Sequence, residues 1–108
     1  MDKIDLQLKL LHGFSNKVRL KILKSLSEKE CTVTELVNNT GNSQSSVSQH
    51  LSCLKGCGLV TYRNDGKYYH YRLTSPYISQ LLNLLEESST AFNWNEAGET
   101  VECQHHMK

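Results

Sequence analysis

Ile4, Leu8 and Leu11 recur at helical spacing, and Leu6 and Leu10 widen their stripe until it covers more than one side of an N-terminal helix. That helix is expected to have two surfaces to bury. A second helix starts near Ser15 or Asn16, either of which can cap free amides, and its apolar set is Val18, Leu20, Ile22, Leu23 and Leu26. Arg19, Lys21 and Lys24 are expected to face water. Thr32 to Thr40 reads as a short helix around Leu36 and Val37, stopped by Gly41, which can adopt the left-handed conformation that ends helices. After the tight turn Gly41-Asn42, Ser43 caps a further helix of about 14 residues that ends at Gly58, with Val47, Leu51 and Leu54 inward. Two short helices joined by such a turn form a helix-turn-helix.

The periodicity then changes. Leu59 to Asn64 and Lys67 to Leu73 are rich in Tyr, Val and Thr, and Asp65-Gly66 between them signals a two-residue hairpin, the wing. Ser75-Pro76 opens a last helix with Ile78, Leu81, Leu82 and Leu85 at i, i+3, i+4 and i+7, a leucine stripe of the kind that seeks a partner. Beyond about Ser88 the pattern dissolves into Ser, Thr, Asn, Glu and Gly, which support no packed element alone. The predicted fold class is mainly α with a β-hairpin wing, a winged helix-turn-helix. One domain is expected over residues 1–90, with a flexible C-terminal tail over 91–108.

Composition narrows the picture. Of 108 residues, 38% are hydrophobic and 21% charged, as in ordinary soluble domains, and no apolar run approaches the roughly 18 residues of a membrane span. Met1-Asp2-Lys3-Ile4-Asp5 has acids where a secretory signal would be basic, which predicts a cytoplasmic address and no membrane partner. The net charge of +1 is unevenly spread: residues 1–74 carry 11 Lys and Arg against 6 Asp and Glu, while residues 75–108 carry 1 against 5. A basic body suits a polyanionic partner such as DNA. Four cysteines in a reducing compartment serve core filling, metal binding or redox chemistry rather than structural disulfides.

The run Thr34-Glu35-Leu36 through Ser43-Gln44-Ser45-Ser46-Val47-Ser48-Gln49-His50-Leu51, followed by Leu54-Lys55-Gly56-Cys57-Gly58-Leu59-Val60, resembles the ArsR/SmtB family of winged-helix metal sensors. The resemblance covers about residues 4 to 88. It implies a homodimer paired through the first and last helices, which represses a metal-resistance or efflux operon and leaves DNA when metal binds.

With Val47, Leu51 and Leu54 inward, Ser45, Ser48, Gln49 and Ser52 form a small acid-free face that a major groove accepts. Gln49 can bond an adenine edge in bidentate fashion, Ser45, Ser46 and Ser48 can contact bases or phosphates, and Gln44 sits at a phosphate-binding helix start. Arg63 and Lys67 flank the hairpin tip, where they can straddle a phosphate backbone or enter the minor groove. A symmetric dimer would read an inverted-repeat operator in double-stranded DNA.

Cys53 and Cys57, four residues apart on the reading helix, share a face with Cβ atoms about 5–6 Å apart, close enough for one ion. Cys103 in the tail is the third candidate ligand, with His105 and His106 as auxiliaries. The pattern is similar to the CmtR-like cadmium- and lead-sensing branch of the family, and that resemblance implies a site built from Cys53 and Cys57 of one protomer and Cys103 of the other. Three thiolates select soft ions, with Cd(II) and Pb(II) favoured and Zn(II) and Hg(II) also fitting.

Other sites of the family are missing: Thr32 and Thr34 stand where many members have a Cys-x-Cys pair, and Ser75, Tyr77, Asn83 and Glu86 replace the Asp and His that others carry on the last helix. Cys31 is read as a small packing or surface thiol and His50 as a packing or capping residue. The alternative function is a thiol-redox-sensing repressor using the same cysteines. It is weakened because both cysteines lie toward the negative end of the helix dipole, which raises a thiol pKa. No Cys-x-x-Cys opens a helix and no cysteine has a matched base, so an enzyme is not expected.

Overall fold

A computed structural model describes residues 1–92. The order is α1 (Lys3–Phe14), α2 (Lys17–Glu28), α3 (Val33–Thr40), α4 (Gln44–Gly56), β1 (Val60–Asn64), β2 (Tyr69–Leu73) and α5 (Pro76–Ala91). Five helices and one antiparallel hairpin match the expected winged helix-turn-helix. The helix starts are fixed by short polar side chains. Asn16, Thr32 and Ser43 each accept a hydrogen bond from the backbone amide three residues on, and Ser75 accepts from the amide of Tyr77. Thr32 and Glu35 form a reciprocal capping box, and Gly41 closes α3 at φ 74°.

Ile22 and Leu23 of α2, Leu36 of α3 and Val47, Leu51 and Leu54 of α4 make the fully enclosed centre. Leu59 and Val60 before and within the wing, and Ile78 and Leu82 of α5, complete the buried cluster. Cys31 is completely buried and its backbone pairs with Tyr71 through two hydrogen bonds of 3.1 and 2.8 Å, so it extends the hairpin as a one-residue bridge. Cys31 is therefore a core thiol.

Three expectations need correction. Arg19 does not face water: it is 8% exposed, because its guanidinium is drawn inward to the carbonyls that end α1. The hairpin turn is not at Asp65-Gly66: the strands pair up to Asn64 opposite Tyr69, and the Asp65 amide donates to the Tyr68 carbonyl at 3.1 Å, which leaves Gly66 and Lys67 as the turn residues. The Asp65 side chain accepts the amides of Lys67 and Tyr68, which stabilises the turn, and Gly66 supplies the positive φ of 95°. Finally, α4 ends at Gly56 rather than Gly58, with Cys57 as its cap residue and Gly58 reversing the chain at φ 80°.

The periphery contrasts with the sealed centre. Ile4, Leu6, Leu8 and Leu11 on α1 and Leu81, Leu84 and Leu85 on α5 are all exposed. Leu10, Leu11 and Phe14 of α1 and Leu81, Leu84, Leu85 and Ser88 of α5 line one apolar groove. The two helices that carry surplus leucines thus flank one groove. No helix among the described residues is long and apolar enough to cross a membrane.

Candidate nucleic-acid interface and metal centre

Helix α4 has two chemically different ends. At its start, Ser43 accepts the amide of Ser46 at 3.1 Å, while Gln44, Ser45, Ser48, Gln49 and Ser52 are exposed on the side opposite the core. Ser46 is half-buried on the flank. No carboxylate stands on this face, and the open first-turn amides add partial positive charge, so the surface is chemically suited to anionic groups and to hydrogen bonding. Lys55 continues the row one turn beyond Ser52, an extension that the Ser48, Ser52, Lys55 spacing would have given from sequence. Its Nζ lies 4.4 Å from the Tyr62 ring centroid and 3.4 Å from the Tyr62 hydroxyl, which steers it toward the wing.

The wing is tied together by polar contacts. Asp65 is 2.6 Å from His70 Nε2, and its carboxyl is held well below the usual range, chiefly by the Tyr68 amide and then by His70 and the Lys67 amide. Arg63 is exposed but donates one N–H to Glu30 at 3.1 Å, leaving most of its donor fork to other uses. Lys67 stands at the tip, 5.3 Å from the Tyr68 ring centroid. Tyr62 packs against Tyr69 and Tyr71 at 4.8 and 5.4 Å, so these rings stiffen the hairpin.

The far end of α4 brings together groups of another kind. Cys53 and Cys57 are half-buried, and with His12 of α1 their ligand atoms all lie within 4.8 Å of one another. Cys53 Sγ is 3.7 Å from His12 Nε2, hydrogen-bond distance for sulfur. Gly13 sits against Leu59 and Leu54 where α1 approaches the end of α4: a Cβ there would lie 2.1 Å from Leu59 Cδ1, so any larger residue would require the Leu59 side chain to shift. Burial pushes the Cys57 thiol up, and the neighbouring Cys53 adds to the rise, while Lys9 and Arg19 offset part of it. A thiol raised in this way is a poor redox nucleophile at neutral pH.

Of the residues expected from sequence, Cys53 and Cys57 come together as anticipated. Cys103, His105 and His106 lie outside the described residues. His12 was missed by sequence reasoning, because nothing in the local pattern of α1 connects it to residues on α4. His50 is half-buried, and its Nδ1 lies 3.4 Å from Arg19 Nη1.

The sequence model of the bacterial regulatory protein arsR family matches residues 16–62. The transcriptional regulator KmtR of Mycobacterium tuberculosis is 32% identical over 104 residues, covering 96% of this chain and 76% of KmtR. The chain belongs to the ArsR family. A probable mercury resistance operon repressor of Streptomyces lividans is 38% identical over 80 residues, 74% of this chain, which spans only 64% of that protein. Among solved structures, the homodimeric winged helix-turn-helix DNA-binding domain Mb0332 of Mycobacterium bovis aligns with TM-score 0.74 at 28% identity, covering 81% of each chain. The cadmium sensor CmtR of M. tuberculosis aligns with TM-score 0.64 at 33% identity, covering 72% of this chain and 81% of that one. These ArsR-family relatives are regulators and not enzymes, so the thiols of this chain belong to a regulator.

Proposed function

We propose that this ArsR-family chain is a homodimeric repressor that binds inverted-repeat operator DNA and leaves it when a soft divalent ion binds its thiolates. The observation that carries this reading is the position of Cys53 and Cys57, at one end of the helix whose other end presents Gln44, Ser45, Ser48 and Gln49. Gln49 reads a base edge; Ser45, Ser46 and Ser48 contact bases or phosphates; Arg63 and Lys67 of the wing hold the backbone. The exposed leucines of α1 and α5 pair two copies and set the spacing of two reading helices.

The donor set fits a soft cation: two sulfurs and an imidazole nitrogen lie within 4.8 Å of one another. Cys53 and Cys57 would hold the ion together with Cys103 of the second protomer, and the residue resemblance favours Cd(II) or Pb(II), with Zn(II) or Hg(II) as further candidates. The bound cation supplies strong, short bonds to thiolates. The protein's part is to carry that constraint along α4: fixing the Cys53–Cys57 end changes the mobility or spacing of the two reading helices, and DNA affinity falls. A cytoplasmic location, and a tail over 91–108 that delivers Cys103, complete the proposal.

The test is operator binding by fluorescence anisotropy with and without Cd(II), Pb(II) and Zn(II), on the parent chain and on Cys53→Ser, Cys57→Ser and Cys103→Ser. Loss of metal-induced release in the variants supports the reading. Undiminished release in all three refutes the thiolate assignment.

A further inference from the structure

Three donor atoms from one protomer are gathered within 4.8 Å of one another before any tail residue is considered. His12 Nε2 lies 3.7 Å from Cys53 Sγ, and the Cys57 sulfur is within 4.8 Å of both. In a tetrahedral site with bonds of about 2.3 Å to sulfur and about 2.0–2.1 Å to imidazole nitrogen, sulfur and nitrogen stand about 3.5 Å apart. The Cys53–His12 pair is therefore already at the edge length of a coordination tetrahedron, and small rotamer changes bring Cys57 to it.

The main chain around His12 is held independently of its ring. Arg19 Nη2 donates to the His12 carbonyl at 2.8 Å and Arg19 Nε to the Gly13 carbonyl at 3.4 Å, while Gly13 seats α1 against Leu59 and Leu54. The ring itself is exposed and is anchored only toward Cys53 among the described contacts. A residue whose backbone is clamped and whose imidazole points at two cysteines is preorganised as a ligand.

We propose that His12 is a direct metal ligand, so that each protomer offers its own two-sulfur, one-nitrogen set for a soft or borderline divalent ion such as Cd(II) or Zn(II). This rests on the thiolate reading above and extends it in one respect: the ion ties the end of the reading helix to α1, the helix that carries the exposed leucines. The metal is then bridged to the pairing surface within one protomer, and Cys103 becomes an added ligand rather than the one that completes the site.

The experiment uses the full chain, labelled with ¹⁵N-histidine and titrated with ¹¹³Cd(II), comparing parent, His12→Gln, His12→Ala, Cys53→Ser and Cys57→Ser. In the parent, the His12 Nε2 resonance is expected to shift and to split by coupling to ¹¹³Cd. Loss of outer partners alone weakens metal sites about 10–100-fold, so removing the imidazole should weaken Cd(II) binding by at least about ten-fold while sulfur-to-metal ultraviolet absorption remains. Unchanged thermal melting of both His12 variants shows that the clamp by Arg19 survives. If the cysteine variants lose Cd(II) while the His12 variants bind it as the parent does, with no ¹¹³Cd coupling at His12, this proposal is overturned and the thiolate reading stands. If the cysteine variants also bind normally, both fall.

Discussion

Arg19 of α2 donates from Nη2 to the carbonyl oxygen of His12 at 2.8 Å, across the gap between α2 and the last turn of α1. The same guanidinium reaches the Gly13 carbonyl and approaches His50 Nδ1, so one side chain gathers the ends of α1 and the middle of α4. Buried carbonyls with a charged donor are costly to orphan. Arg19→Ala is expected to lower stability by about 2 kcal/mol, read as a loss in urea midpoint without a change in slope.

Arg19 also marks where sequence reading stops. Asn16, Thr32, Ser43 and Ser75 were legible as helix starts because a cap bonds an amide two or three residues away, and the alternation of apolar positions named Leu36, Val47, Leu51 and Leu54 as core correctly. Arg19 was assigned to water because it is charged, whereas the partners that draw it inward lie 6, 7 and 31 positions away. His12 escaped for the same reason, since 41 residues separate it from Cys53. The Cys53–Cys57 pair needed only helical spacing. The hairpin turn was placed one residue early because Asp-Gly is itself a strong turn pair, and the decisive contacts are those of the Asp65 carboxylate to the amides of Lys67 and Tyr68.

Leu84 is 58% exposed on α5 beside an equally open Leu11 on α1. Leu84→Glu is expected to leave helix content and melting of the single chain intact while converting dimer to monomer and abolishing operator binding. Sedimentation velocity and anisotropy on the same sample check this; a dimer that survives the substitution locates the pairing surface elsewhere.

The two halves of the DNA face should separate by specificity. Gln49→Ala should weaken operator binding by about 1–3 kcal/mol with little change on unrelated DNA, whereas Arg63→Ala should weaken both alike and reduce the salt slope by about one. Titrations on operator and scrambled duplexes at several salt concentrations distinguish the two patterns.

Proton competition sets the pH profile of metal binding. The Cys57 thiol is pushed up by burial and then by Cys53, so at neutral pH it carries a proton that the ion must displace. Apparent Cd(II) affinity should therefore climb as pH rises from 6 toward the raised thiol pKa, by about ten-fold per pH unit for each proton released. Calorimetry in buffers of different ionisation heat measures that release, and a pH-independent affinity would count against thiolate ligation.

The central claim is that one helix both reads DNA and holds the ion, and thermodynamic reciprocity tests it most directly. Cd(II) affinity, followed by sulfur-to-metal absorption, is measured on the free dimer and on the dimer saturated with operator. The account predicts that operator weakens Cd(II) binding by about five-fold or more, by the same factor that Cd(II) weakens operator binding. Equal Cd(II) affinity in the free and DNA-bound protein would contradict it.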